Sequence, residues 1–401
     1  MIYVDNNATT AVAPEVRDAM QPFFNDQYFN PSSMYPPAMG VAREVKQARE
    51  TIAQCLNIAD PSEILFTSCA SESNNAALFG VAQANLNRKH IITTAVEHPA
   101  VLEVCKELER RGYRVTFLSV NRLGELDLKE YVRALDDDTL MVSVMHANNE
   151  TGVVFPVEQM ARIAKETDPS IVFHTDATQT VTKLPLDLSD GNIDLVSFSG
   201  HKFHAPKGVG ALYIKKGTRI RPFLIGGHQE NGRRAGTENV AYIVGMAKAM
   251  HLAARTHASD EDRIRIMRAR FENKLLERIP YIEINGRGAK RLPNTSNIAV
   301  HCIEGEAILY QLAEAGICAS SGSACTSGSL EPSHVLRAMK VPFTAMHGST
   351  RFSFSRYTTD AEIDYIIEEF PKIVERLRNM SPYWDKVNQK PLDVDFLNVK
   401  H

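Results

Sequence analysis

IDLVSFSGHKFHAPKGVGALYIKK, residues 193–216, reads as two short apolar runs around a polar turn. IDLVSFS (193–199) and GALYIKK (210–216) have the length and β-branched, aromatic character of strands. Between them Lys202 stands among Gly, His and Pro, just past the carboxyl end of the first run. An isolated lysine in such a turn is usually a solvated surface group. A lysine partly desolvated at a strand end can instead lose its proton near neutral pH and act as an amine nucleophile.

Further runs of the same kind lie upstream: EILFT (63–67), HIITTA (90–95), RVTFLSV (114–120), TLMVSVM (139–145) and IVFHTDA (171–177). Helical patterns such as HPAVLEVCKELERRG and PVEQMARIAKET separate them. This alternation predicts an α/β fold with a mostly parallel seven-stranded sheet and flanking helices. Such sheets bind ligands beyond the carboxyl ends of their strands. Five of those ends lead into unusual polar stretches: SCASESNN, EHPAV, HANNETG, DATQT and GHKFHAPKG. After about residue 238, NVAYIVGMAKAMHLAARTH predicts a long connecting helix, and TSNIAVH and STRFSFS are strand-like. The expected division is a large domain over 15–255 and a smaller α+β domain made of 1–14 and 256–401.

The chain has 401 residues, 44% hydrophobic and 23% charged, as in a soluble globular protein with a sizeable core. Its formal charge is 45 − 48 = −3, with no basic stripe, so nucleic acid is not an expected partner. No apolar run reaches the ~18 residues of a membrane span, and MIYVDNNATT lacks the pattern of a secretory signal. Six cysteines without a CxxC pair point to a reduced, cytoplasmic protein. Cys55, Cys69, Cys105 and Cys302 lie in helix-like or strand-like patterns, Cys318 in a strand-like run, and all five read as structural. Cys325 differs: from Ser320 to Ser329 it has no large apolar neighbour. That composition predicts a mobile loop, about 320–332, whose thiol is free to react.

A nucleophilic lysine of this kind forms Schiff bases, including with pyridoxal phosphate. That cofactor needs a carboxylate at its pyridinium nitrogen, and Asp176 ends a strand. It needs N–H donors and hydroxyls for its phosphate, and Ala70 and Ser71 open a helical pattern. It needs a flat group over its ring, and His98 stands at a helix start. Each residue alone has a commoner role: Asp176 as a helix cap, Ser71 in a capping box, His98 as a solvated side chain. Their placement at successive strand ends favours the cofactor. A metal on His201 and His204 fits less well, since Lys202 lies beside them and no third ligand stands out by spacing. Neither GxGxxG after a strand nor GxxxxGK occurs.

Together YVDNNATT, FTSCASES, EHPAV, ANNETG, HTDATQ, SGHKFHAPKGVG, GGHQENGRRAGTEN and above all SSGSACTSGSLEPSHV (320–335) resemble the cysteine desulfurases, more narrowly the NifS type. The resemblance implies the transferase fold type I of pyridoxal phosphate enzymes. It implies that L-cysteine is converted to L-alanine and its sulfur passed to Cys325 as a persulfide. By position, Lys202 matches the Schiff-base lysine, His98 the ring-stacking and catalytic histidine, Asp176 the pyridinium partner, and Gln179 the partner of the ring hydroxyl. Ala70, Ser71, Ser199, His201 and Thr237 match the phosphate cup, with Thr237 reaching in from the second subunit of a homodimer. Asn149 and Arg351 match the groups that bind the substrate carboxylate, for which an arginine fork is suited. The resemblance further implies an iron–sulfur scaffold as sulfur acceptor, supply to nitrogenase, and a transient [2Fe–2S] cluster shared through Cys325. Ser71 stands where threonine is expected, and His146 where tryptophan is. Rival readings are a selenocysteine lyase or another lyase or aminotransferase of the same fold, or a non-catalytic scaffold; dependence on Cys325 separates them.

Overall fold

The computed structural model describes residues 1–186, 188–321 and 332–392. Among these, seven strands form one sheet: β1 (Ile64–Thr67), β2 (His90–Thr94), β3 (Arg114–Leu118), β4 (Thr139–Ser143), β5 (Val172–Asp176), β6 (Leu195–Ser199) and β7 (Gly210–Ile214). Each lies inside one of the seven runs read from the sequence. Their order across the sheet is β1-β7-β6-β5-β4-β2-β3. Pairing is parallel from β3 to β6. β7 runs antiparallel to both its neighbours, so β1 points the same way as β6. The carboxyl ends of β1, β2, β4, β5 and β6 therefore share one edge.

Every residue of β2 and β4–β7 is buried, as continuous apolar runs of a doubly covered sheet require. Alternation sends side chains to two faces. Ile92, Val142, Phe173, Val196 and Tyr213 pack on one side; Ile91, Met141, Val172, Leu195 and Leu212 pack on the other. Helices α1 (Pro36–Cys55), α2 (Ala70–Ala84) and α3 (Pro99–Arg110) start at proline or at a tight strand exit. The apolar stripe of α3 (Val101, Val104, Cys105, Leu108) explains its burial.

A second, antiparallel sheet places β9 (Thr295–Val300) between β8 (Ile282–Ile284) and β10 (Ser349–Ser353). Its core gathers Ile298, Val300, Phe352 and Phe354 with Phe271 and Phe370. One helix, α4 (Val240–Arg278, 39 residues), serves both cores. Its early residues Ile243, Met246 and Met250 sit in the first core; Ile264, Met267, Phe271 and Leu275 sit in the second. Val335, Leu336, Met339 and Val341, although late in the chain, also pack into the first core.

The first residues stitch these parts together. Ile2–Tyr3 pairs in parallel with Ile317–Cys318, which puts Cys318 in a strand as its run suggested. Asn6 N–H donates to Ser353 O (3.2 Å) and Thr10 N–H to His201 O (2.9 Å). Cys302, by contrast, sits in a turn at φ 69°, outside any strand.

Candidate active site

At the shared edge lies a cavity of about 330 Å³. Ala70, Ser71, His98, Asn149, Asp176, Gln179, His201, Lys202 and Arg351 all border it. Their positions follow from the strand exits. Lys202 lies in the turn leaving β6, and its Nζ donates to Asn7 O (2.7 Å) and Ala8 O (2.8 Å). Both partners are backbone carbonyls, which can only accept. Asp176 ends β5. Its Oδ2 accepts from Asn74 Nδ2 (2.7 Å) and its Oδ1 from Thr178 N–H (2.9 Å). Two donors on a buried carboxylate hold its direction.

His98 caps α3, with Nδ1 accepting from Ala100 N–H at 3.1 Å. That bond leaves the ring proton on Nε2 when the imidazole is neutral. Burial lowers the His98 pKa, with Lys202 adding to the effect and Asp176 opposing it. Ala70 and Ser71 open α2, whose first N–H groups have no partner inside the helix. A Cβ on Gly210 would come within 2.8 Å of the Cys69 carbonyl carbon, so the start of β7 fits closely under this helix entry. His201 is pushed down to about 4 by burial and by Lys202, and shares a 3.1 Å hydrogen bond with Thr9. His204 turns to Ala11 O instead, so the two histidines engage different partners. Among the described residues no cluster of three or more His, Cys, Asp or Glu could hold a metal ion.

Arg351 extends from β10 and is 2% exposed. Nη2 meets Asp5 Oδ1 at 2.8 Å and Nη1 donates to Asn149 O at 3.0 Å. Gln179 donates through Nε2 to Asn7 O (3.0 Å) and accepts from Lys183 Nζ (3.2 Å).

Ser199 and Thr237 are not brought to the cavity. Ser199 is buried with its Oγ donating to Val209 O (3.4 Å), and Thr237 is exposed. Cys325 lies outside the described residues. Sequence reasoning missed the carbonyls of Asn7 and Ala8, the Asn74 amide, Asp5 and Lys183. Of these, Asp5, Asn7 and Ala8 belong to the quoted YVDNNATT; nothing in it marked a backbone acceptor. Cys69 borders the cavity directly before α2 rather than lying within a helix or strand. His146 is buried, its Nδ1 without a partner, and burial holds it down at about 4.

The family model for aminotransferase class-V matches residues 2–366. The chain belongs to that family. It is 56% identical over 386 residues to the cysteine desulfurase of Trichormus azollae, covering 96% of this chain and 95% of that one. It is 53% identical over 383 residues to the cysteine desulfurase NifS of Azotobacter vinelandii, with the same coverage. A solved NifS-like protein superimposes with a TM-score of 0.88 at 38% identity, covering 94% of this chain and all of that one. The fold is therefore type I of the pyridoxal phosphate enzymes, and pyridoxal phosphate is this family member's cofactor. The cavity fits it: an amine, a carboxylate held by two donors, an imidazole and a helix N-terminus face one space.

Proposed function

We propose that this cavity converts L-cysteine to L-alanine and delivers the sulfur to Cys325, so that the chain is a cysteine desulfurase of the NifS type. The identity to desulfurases over nearly the full chain supports the activity. The observation that carries the chemistry is the convergence of Lys202, Asp176, His98 and Arg351 on one cavity.

Lys202 is the residue to hold the cofactor covalently, Asp176 to face its ring nitrogen, His98 to cover its ring, and Ala70 and Ser71 to receive its phosphate. When bound, pyridoxal phosphate supplies an electron sink for negative charge at the substrate's Cα. The chain's own groups do the rest. Lys202, as a free amine, takes the Cα proton on Nζ; the carbonyls of Asn7 and Ala8 stabilise the ammonium so formed. Neutral His98 keeps a proton on Nε2 for donation. A guanidinium has five N–H donors, and two are engaged with Asp5 and Asn149, so Arg351 retains three for the substrate carboxylate. The overall change balances: Cys325–SH plus L-cysteine gives Cys325–S–SH plus L-alanine. The thiolate of Cys325 forms the S–S bond as the substrate's C–S bond breaks, and the substrate carbon gains the proton.

Acceptor proteins then take the sulfur. The acceptor in this reading is an iron–sulfur scaffold that feeds nitrogenase, with Cys325 transiently sharing a [2Fe–2S] cluster. The working form is a homodimer in which Thr237 completes the neighbouring phosphate cup beside His201; Ile225, 90% exposed shortly before Thr237, supports a covered surface there. The division into 15–255 and 1–14 with 256–401 draws support from the two sheets and their cores. Among the described residues no helix is long and apolar enough to cross a membrane, and the cytoplasm is the proposed setting. The test compares wild type with Cys325→Ala, given L-cysteine and a reductant, by alanine and sulfide release at equal cofactor absorbance. Loss of both products in the variant supports the reading. Full activity would make the enzyme a lyase that eliminates sulfur directly.

A further inference from the structure

Lys183 is a half-buried lysine to which the mechanism gives no task. It stands four residues after Gln179, and its Nζ donates to Gln179 Oε1 at 3.2 Å. The other end of that amide donates to Asn7 O at 3.0 Å. Asn7 and Gln179 border the large cavity, whereas Lys183 does not. The oxygen end of the amide is thus drawn away from the cavity and the N–H end is left on its side. Asn7 O, which can only accept, already selects the N–H end, and the Lys183 donor is a second anchor at the oxygen end.

We propose that Lys183 is a positioning residue: it holds the Gln179 amide with its N–H end toward the cavity and places a positive charge behind the donor that meets the cofactor's ring hydroxyl. The proposal rests on the reading of Gln179 as that hydroxyl's partner. Asn7 O links the two halves of the arrangement, since it accepts from both Gln179 Nε2 and Lys202 Nζ.

The surroundings let the Lys183 charge be felt. It borders a smaller cavity of about 60 Å³ together with Lys202. Burial, then the charges of Lys202 and Arg351, hold Lys183 down at about 7. His201 and His204, which also face it, are each held down at about 4 and add no charge at neutral pH. The carboxylates across the small cavity are engaged elsewhere: Asp260 lies 3.6 Å from Arg356, and Glu261 3.6 Å from His257. No acidic partner of Lys183 stands among the described residues bordering that cavity.

The experiment titrates the visible absorption band of the cofactor in the holoenzyme with pH. Four proteins are compared: wild type, Lys183→Met, Gln179→Leu and the double variant, with Lys183→Arg as the charge-retaining control. Removing a like charge near Lys202, and the donor it orients, raises the midpoint in Lys183→Met by about one pH unit. Lys183→Arg keeps the wild-type midpoint, and on the Gln179→Leu background Lys183→Met adds clearly less than its full shift. A wild-type midpoint in Lys183→Met overturns the proposal. So does a Lys183→Met shift that persists in full on the Gln179→Leu background, because the route through the amide is then absent. If Gln179→Leu alone leaves the band unmoved, Gln179 does not meet the cofactor and the underlying reading fails first.

Discussion

Replacing Arg351 by lysine separates charge from fork. Lysine offers three donors where arginine offers five. Asp5 Oδ1 and Asn149 O each take one in the native protein, at 2.8 and 3.0 Å. If the ammonium keeps both partners, one donor is left for the substrate carboxylate instead of three, and a two-point grip becomes one-point. The loss is one hydrogen bond to a charged group, about 1.5–3 kcal/mol, or roughly ten- to a hundredfold in kcat/KM for L-cysteine. The assay is alanine formation against L-cysteine concentration, with cofactor content matched by absorbance. The expected pattern is a raised KM with kcat less affected, since the carboxylate is held in ground and transition states alike. A loss of less than threefold, or an unchanged KM with a fall in kcat alone, would refute the assignment of Arg351 to the carboxylate.

Asn74→Ala removes the 2.7 Å donor from Asp176; cofactor retention after dialysis is expected to weaken roughly tenfold or more, by the same charged hydrogen-bond magnitude. Glu97 gives a pH prediction. Burial pushes its carboxyl up to about 8, against hydrogen bonds from Met145 N–H and Thr94 Oγ that favour the charge. Its folded pKa lies above its unfolded value of ~4.5, so its contribution to stability is full below about pH 4.5 and is lost as pH rises through 8. Glu97→Gln imitates the protonated acid: the urea midpoint of the variant relative to wild type should climb from pH 5 to pH 8, and a constant difference would refute the buried neutral acid.

Much of this was legible because strands declare themselves locally. Seven apolar runs became seven strands, and the polar stretch after each of five became a wall of one cavity. The direction of β7 was not legible, since a period of two has no polarity and only pairing decides it. Nor could any pattern reveal that Asn7 and Ala8 act through their carbonyls, because every residue carries one. Asp5 and Arg351 meet across 346 positions, and a charge in a motif does not name a partner that distant. Asn74 lies inside a helix whose composition looks ordinary; only the side of α2 that faces Asp176 gives it a role. Lys183 reads as one of many surface lysines until its bond to Gln179 is seen.

The first residues of the sequence set a schedule for biosynthesis. Asn6 pairs with Ser353, Ile2 with Ile317, and Asn7 and Ala8 supply the acceptors at Lys202. The lysine leaves the ribosome long before Ser353 does, and its neighbours on the other flank are already waiting. At 5–20 residues per second, Asp5 precedes Ser353 by roughly 20–70 s. From the release of Ile214 to that of Ser353 the nascent chain carries all seven strands of the first sheet and an unfinished pocket. The cavity is thereby completed last, only when translation has delivered the strand that carries Arg351.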